Sequence, residues 1–101
     1  QNPRIVPFGD ISLNPGALVF HYGAEVFEGL KAYRTPGGEV QLFRPVENFK
    51  RMNNSAERLC LPQFDVEDAV EYLRKFVEVE KDWVPDQYGT SLYLRPYDIL
   101  Y

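Results

Sequence analysis

The stretch Leu30-Lys31-Ala32-Tyr33-Arg34-Thr35-Pro36-Gly37-Gly38-Glu39-Val40-Gln41-Leu42-Phe43-Arg44-Pro45 decides the fold. Its first five residues alternate in polarity, and so do Val40 to Phe43, which is the period of a half-buried strand. Thr35 to Glu39 lies between them, with a proline followed by two glycines where the chain must reverse. The simplest reading is strand, turn, strand, a β-hairpin. Pro45 then opens an element of a different period. Its missing N–H costs nothing in a first helical turn.

Downstream, Val46, Phe49, Met52, Ala56, Leu59 and Cys60 recur every three or four residues. This is the buried stripe of a helix of about four turns. Pro62 stops it, and Leu61 is biased toward extended geometry. Asp65 begins a second helix, with Asp68 in place of the usual Glu of a capping box. Its stripe is Val66, Ala69, Val70, Leu73, Phe76 and Val77. Trp83, Val84 and Pro85 close it, Asp86 to Gly89 is a turn, and Thr90 to Pro96 reads as a strand.

Upstream the signal is poorer. Residues 1–16 carry three prolines and two glycines and read as loop with one edge strand at most. Leu18-Val19-Phe20 reads as a short buried strand. Tyr22 to Glu28 is open between a loop and a short helix of one or two turns, which Gly29 would end. The order loop, hairpin, helix, helix, strand predicts an α+β fold, a small antiparallel sheet packed against two helices.

The chain has 101 residues, 45% of them hydrophobic and 26% charged, which suits one small domain and excludes a whole barrel or doubly wound sheet. A net charge of −4 argues against a nucleic-acid surface. No apolar run reaches membrane-spanning length, and nothing resembles a signal peptide. The single cysteine cannot form an internal disulfide, which fits a reducing compartment. The chain starts at Gln1 rather than Met, so a piece of a longer polypeptide is expected.

The last strand carries the most chemistry. Alternation sends Leu92 and Leu94 to one face and Ser91, Tyr93 and Arg95 to the other. That second face is either a solvated sheet surface or an anion site, because a guanidinium holds a carboxylate or phosphate through two parallel hydrogen bonds. Arg51 and Arg58 share a helix face away from the Phe49/Met52 stripe. They either meet a phosphate or simply face solvent and Glu47 or Glu57. His21 is the lone histidine, more suited to packing or hydrogen bonding than to acting as a base. Zinc is not expected, since Cys60 is remote from it. Lys31 lies on an ordinary hairpin strand. There is no phosphate-cradling glycine loop and no nucleophile elbow.

Beyond these physical readings stands a resemblance. It is carried by His21-Tyr22-Gly23-Ala24-Glu25-Val26-Phe27-Glu28-Gly29-Leu30-Lys31-Ala32-Tyr33, by Leu42-Phe43-Arg44-Pro45, by Lys50-Arg51-Met52-Asn53 with Ser55-Ala56, and by Arg58-Leu59-Cys60-Leu61-Pro62. Lys81-Asp82-Trp83-Val84-Pro85 and Gly89-Thr90-Ser91-Leu92-Tyr93-Leu94-Arg95-Pro96 continue it. In this order the segments resemble the N-terminal small domain of the branched-chain amino acid aminotransferases, pyridoxal-phosphate enzymes of fold type IV.

The resemblance implies roles. Arg51 matches the arginine that binds the cofactor phosphate. Tyr22 and Phe27 match aromatic residues of the pocket for the branched side chain. Tyr93 and Arg95 match a tyrosine and arginine presented to substrate, the arginine serving the distal carboxylate of glutamate. His21 and Glu28 have structural roles. The implied reaction moves the amino group of leucine, isoleucine or valine to 2-oxoglutarate, with pyridoxal 5′-phosphate held as a Schiff base by a lysine. That lysine belongs to a large C-terminal domain that residues 1–101 do not match, so this chain alone is expected to be inactive. The implied partners are that domain, a second copy in a homodimer, and small-molecule amino and 2-oxo acids, with no nucleic acid, membrane or metal. The implied compartment is the cytoplasm, with the mitochondrion open. After Pro96 the family continues as a longer apolar strand, from which Tyr97 to Tyr101 departs. A D-amino acid aminotransferase, an aminodeoxychorismate lyase, and a non-catalytic anion-binding or dimerising domain are the other readings.

Overall fold

The structure is a computed structural model and describes residues 3–99. In chain order it contains α1 (Leu18–Tyr22), β1 (Glu25–Phe27), β2 (Leu30–Arg34), β3 (Val40–Leu42), α2 (Pro45–Arg58), α3 (Val66–Val79), β4 (Leu92–Leu94) and β5 (Tyr97–Ile99), with a 3₁₀ turn at Lys81–Trp83. The hairpin is β2 with β3, in the register Ala32 opposite Leu42 and Arg34 opposite Val40. Its turn closes on Thr35, whose carbonyl accepts from the Gly38 N–H at 2.8 Å and whose N–H donates to the Glu39 carbonyl at 2.7 Å. Gly38 takes a φ of 87°, the left-handed region that a side chain disfavours.

The final strand enters beside the hairpin. β4 pairs with the other edge of β2, giving an antiparallel sheet in the order β3-β2-β4. Lys31 then lies opposite Tyr93, and Leu30 opposite Leu94. The chain turns at Arg95-Pro96 into β5, which pairs antiparallel with β1 as a separate ribbon. Two small sheets therefore replace the single one expected. Leu100 and Tyr101, the rest of the tail, lie outside the described residues.

Each helix buries the middle of the stripe that periodicity assigns it, while Val46 of α2 and Phe76 of α3 stay exposed. Phe49, Met52 and Ala56 of α2 pack with Val70 of α3, Val26 of β1 and Leu61. A second cluster joins Val77 and Val84 to Leu30, Ala32 and Leu94 on the sheet. Leu73 packs against both clusters, so α3 ties them together. Asp65 caps α3 as expected, its carboxylate accepting from the Asp68 N–H at 3.0 Å.

Three readings of the sequence need correction. Leu18 to Phe20 is helical rather than a buried strand, and both end residues are exposed. Asn14 folds an Asx turn onto the Gly16 N–H at 2.7 Å, and the Ala17 N–H bonds the Asn14 carbonyl at 2.9 Å, which winds the chain at that point. Second, Gly23, with φ 61° and ψ 32°, ends the helix, so Tyr22 to Glu28 is not helical throughout; Glu25–Phe27 is a strand with Val26 buried. Gly29 therefore does not act as a helix stop.

Third, Leu59 and Cys60 fall off the buried stripe. The end of α2 is a Schellman turn: the Leu61 N–H bonds the Ala56 carbonyl at 2.8 Å and the Cys60 N–H bonds the Glu57 carbonyl at 3.2 Å. Cys60 takes the left-handed position, with φ 58°. The turn swings Cys60 to the surface and sends Leu61 back into the core beside Ala56. Leu59 is 53% exposed.

This packing separates two residues that periodicity treats alike. Met52→Ala should lower unfolding stability by about 3 kcal/mol through the cavity it leaves. Leu59→Ala should change it by less than about 1 kcal/mol. Urea midpoints of the two variants measure the contrast, and equal losses would contradict the packing.

Candidate functional site

Three consecutive residues, Phe27-Glu28-Gly29, join β1 to β2 and organise the site. They leave the β1–β5 ribbon and enter the three-stranded sheet, so their backbone is held from both sides. The Glu28 N–H donates to the Pro96 carbonyl at 2.9 Å. The Asn48 side chain, on the first turns of α2, donates its Nδ2–H to the Gly29 carbonyl at 3.2 Å. Each of the three side-chain positions then meets a different partner.

Glu28 is only 7% exposed. A buried carboxylate left unpaired is strongly disfavoured, so a cation must reach it. Arg51 of α2 does so in a bidentate pair: Nε donates to Oε2 at 2.7 Å, and Nη2 donates to Oε1. The Gly29 N–H adds a longer bond to Oε1 at 3.3 Å. The Arg51 hydrogen bond holds the Glu28 carboxyl below its ordinary range, against the opposing effect of burial. The same bond pushes the Arg51 guanidinium up. Arg51 itself is 68% exposed. The partners considered from sequence, Glu47 and Glu57, are not used; Glu47 instead approaches Lys50 at 3.8 Å. Arg58, the other arginine of that face, is exposed and forms no ion pair among the described residues.

Phe27 meets Arg95. The guanidinium carbon lies 4.5 Å from the centre of the Phe27 ring, a cation–π distance. Arg95 also donates to the Tyr93 hydroxyl, from Nε at 3.2 Å and from Nη2 at 3.0 Å. The alternation expected of the last strand holds: Leu94 is buried while Tyr93 is 50% exposed. Tyr93 and Arg95 thus stand on the open face, as one hydrogen-bonded unit leaning on Phe27.

Gly29 makes room for this unit. A Cβ at that position would collide with the Tyr93 hydroxyl and press on its ring. Its φ is not in the left-handed region, so the need is for space rather than backbone freedom. Sequence reasoning missed this, and it missed Asn48. Gly29 carries a signal in hindsight, since it directly follows two residues of the patch. Asn48 carries only its place three residues before Arg51, on the same helix face.

Tyr22 is the one predicted site residue that stays apart. It ends α1, is 81% exposed, and makes no hydrogen bond or ring contact with the cluster among the described residues. His21 bonds the Pro15 carbonyl at 2.9 Å, a local structural role. Among the described residues no group of His, Cys, Asp and Glu has the arrangement of a metal site.

An apolar groove of about 720 Å³ opens nearby, lined by Ile5, Phe49, Tyr72, Phe76, Leu94 and Arg95 among others. Of the cluster only Arg95 reaches it. The chemistry rests instead with two guanidinium groups, each anchored along one edge by a protein partner. A guanidinium has five N–H donors. Arg51 spends two on Glu28, and Arg95 spends two on Tyr93. Each keeps a free edge, suited to an oxyanion. The arrangement can bind and orient anions.

No protein-family model matches the chain. Curated relatives do. The chain is 56% identical over 99 residues to branched-chain-amino-acid transaminase 1 of Bacillus subtilis, covering 98% of this chain and 28% of that protein. It is 53% identical over 94 residues to the mitochondrial branched-chain-amino-acid aminotransferase of Rattus norvegicus, covering 93% of this chain and 24% of that one. Among solved structures, the T.th. branched-chain amino acid aminotransferase with pyridoxamine 5′-phosphate superposes with a TM-score of 0.76 at 30% identity, over 93% of this chain and 28% of that one. The same enzyme complexed with N-(5′-phosphopyridoxyl)-L-glutamate gives 0.67 at 32% identity, over 82% of this chain and 26% of that one. The chain thus spans about a quarter of the length of the proteins it matches. In sequence over nearly all of its residues, and in fold, this chain is thus similar to one part, about a quarter, of the branched-chain amino acid aminotransferases.

Proposed function

We propose that residues 1–101 form the N-terminal small domain of a pyridoxal 5′-phosphate-dependent branched-chain aminotransferase, and supply one wall of its active site. The reaction is transfer of the amino group of leucine, isoleucine or valine to 2-oxoglutarate. The remaining wall, with the lysine that holds the cofactor, belongs to a large C-terminal domain, and the working unit is a homodimer. The observation that carries this reading is the convergence on Phe27-Glu28-Gly29 of two anchored, outward-facing arginines. It is supported by relatives whose names give this activity and by a similar structure holding a phosphopyridoxyl glutamate. The exposed, unpaired Cys60 fits a reducing compartment, and the cytoplasm is part of the same proposal.

The residues fit the cofactor. Three N–H donors of Arg51 remain beyond those given to Glu28, on a side chain that is mostly exposed, and a phosphate accepts from such an edge. When bound, pyridoxal 5′-phosphate supplies the electron-withdrawing ring and the carbonyl carbon that carries the amino group. This chain's residues bind and orient. Arg51 holds the phosphate. Arg95, fixed by Tyr93 and Phe27, presents its remaining donors to the distal carboxylate of glutamate or 2-oxoglutarate. Phe27 gives the apolar surface against which a branched side chain packs, so one small area serves both substrates. Tyr22 reaches substrate only if its exposed ring is covered by the rest of the enzyme, and its pocket role belongs to this proposal.

Three substitutions in the full-length enzyme test these roles. Arg95→Ala should raise KM for 2-oxoglutarate roughly tenfold or more, and KM for branched 2-oxo acids much less. Equal losses would contradict the distal-carboxylate role. Arg51→Ala should speed cofactor loss on dialysis, followed by visible absorbance; unchanged retention would contradict the phosphate role. Gly29→Ala should reproduce the selectivity of Arg95→Ala, because the added methyl displaces the Tyr93 hydroxyl on which Arg95 is fixed. Steady-state kinetics with both acceptor classes decides it.

A further inference from the structure

The pair between Glu28 and Arg51 has an asymmetry that folding alone does not require. The carboxylate is 7% exposed while the guanidinium is 68% exposed. A pair made only to neutralise a buried charge needs one contact. Here Arg51 gives Nε–H and one Nη2–H, and its other edge bonds no protein group among the described residues, on a side chain that is mostly exposed. The backbone that carries the carboxylate is itself held, by the Glu28 N–H on the Pro96 carbonyl at 2.9 Å and by Asn48 on the Gly29 carbonyl at 3.2 Å. Pro96 directly follows Arg95. The orientation of Arg51 is thereby referred to the same short backbone segment that carries the second guanidinium.

We infer that Glu28 is a positioning residue for the cofactor phosphate, acting by holding one edge of Arg51 so that the opposite edge faces the anion. This rests on the phosphate reading of Arg51 given above. The physical choice is between two opposite effects of the carboxylate. As a charge, Glu28 offsets Arg51 and repels a phosphate, so its removal should tighten binding. As an anchor, it removes the rotamer freedom of a long, exposed side chain before the ligand arrives, so its removal should weaken binding. An exposed guanidinium is well screened by water, which reduces the charge effect. An unanchored arginine would have to be ordered with each binding event. Anchoring is the larger effect.

The test uses the full-length enzyme in four forms: Glu28→Gln, Glu28→Asp, Arg51→Ala and the double variant Glu28→Gln/Arg51→Ala. Cofactor release is followed by absorbance, and the environment of the bound phosphate by its 31P resonance. The thermal midpoint of each cofactor-free protein reports folding separately. Glu28→Gln should release cofactor about tenfold faster and shift the 31P resonance. Glu28→Asp, which keeps the charge and shortens its reach, should also release it faster. In the Arg51→Ala background, Glu28→Gln should add almost nothing. Release at the wild-type rate or slower in both Glu28 variants, beside a loss in Arg51→Ala, would overturn this inference alone. A full additional loss in the double variant would overturn it too, because the effect would then not pass through Arg51. Wild-type retention in Arg51→Ala would overturn the phosphate reading, and this inference with it.

Discussion

A buried carboxylate and the cation that reaches it set the arrangement of this protein. Glu28 sits where the two sheets meet, and it must be both ionised and out of water. Arg51 satisfies it from α2, across 23 residues of sequence. That requirement draws the helix against the strand junction, and the Asn48 amide one turn earlier closes the same gap on the backbone side. Breaking such a pair by removing one partner strands a charge in the interior, whereas an apolar pair of equal size would leave no such penalty. The ionic pair thus makes α2 and the strand junction depend on each other, since neither partner can be removed without cost.

The apolar core serves the same junction. α3 packs on both clusters through Leu73, one cluster lying under β1 and α2 and the other under the three-stranded sheet. Phe27-Glu28-Gly29 crosses between them. Exposed Phe27 meets Arg95 and buried Glu28 meets Arg51, while Val26 before them and Leu30 after them are buried, one in each cluster. The relative placement of the two arginines is thus fixed by side chains that touch neither of them.

Much of this was readable from local pattern. The hairpin and both long helices follow from period and from Pro45, Asp65 and the glycines of the turn, because each is stabilised by contacts within a few residues. The outward face of Tyr93 and Arg95 follows from strand alternation alone. Residues 18–28 were not readable. α1 depends on an Asx turn at Asn14 and a left-handed Gly23, and β1 exists because β5 pairs with it from the far end of the chain. Leu59 and Cys60 continue the helical period, yet a Schellman turn with a cysteine where glycine is usual removes both from the core. The partner of Arg51 and the clearance needed at Gly29 are equally non-local. The resemblance to aminotransferases named Arg51, Tyr93 and Arg95, and left the glutamate and glycine that hold them without a defined task.

Arg34 closes the structure in a way that bears on how it forms. Its guanidinium donates to the Gly38 carbonyl within the hairpin at 3.1 Å, and to the carbonyls of Lys81 at 2.6 Å and Val84 at 3.1 Å beyond α3. β2 likewise pairs first with its neighbour β3 and then with β4, which arrives only after both helices. The hairpin closes a short loop, whereas β4 must close a long one at a larger entropic cost. The open face carrying Tyr93 and Arg95 thus rests on a pairing of high sequence separation, which Arg34 reinforces by tying the hairpin to the segment that leads into β4.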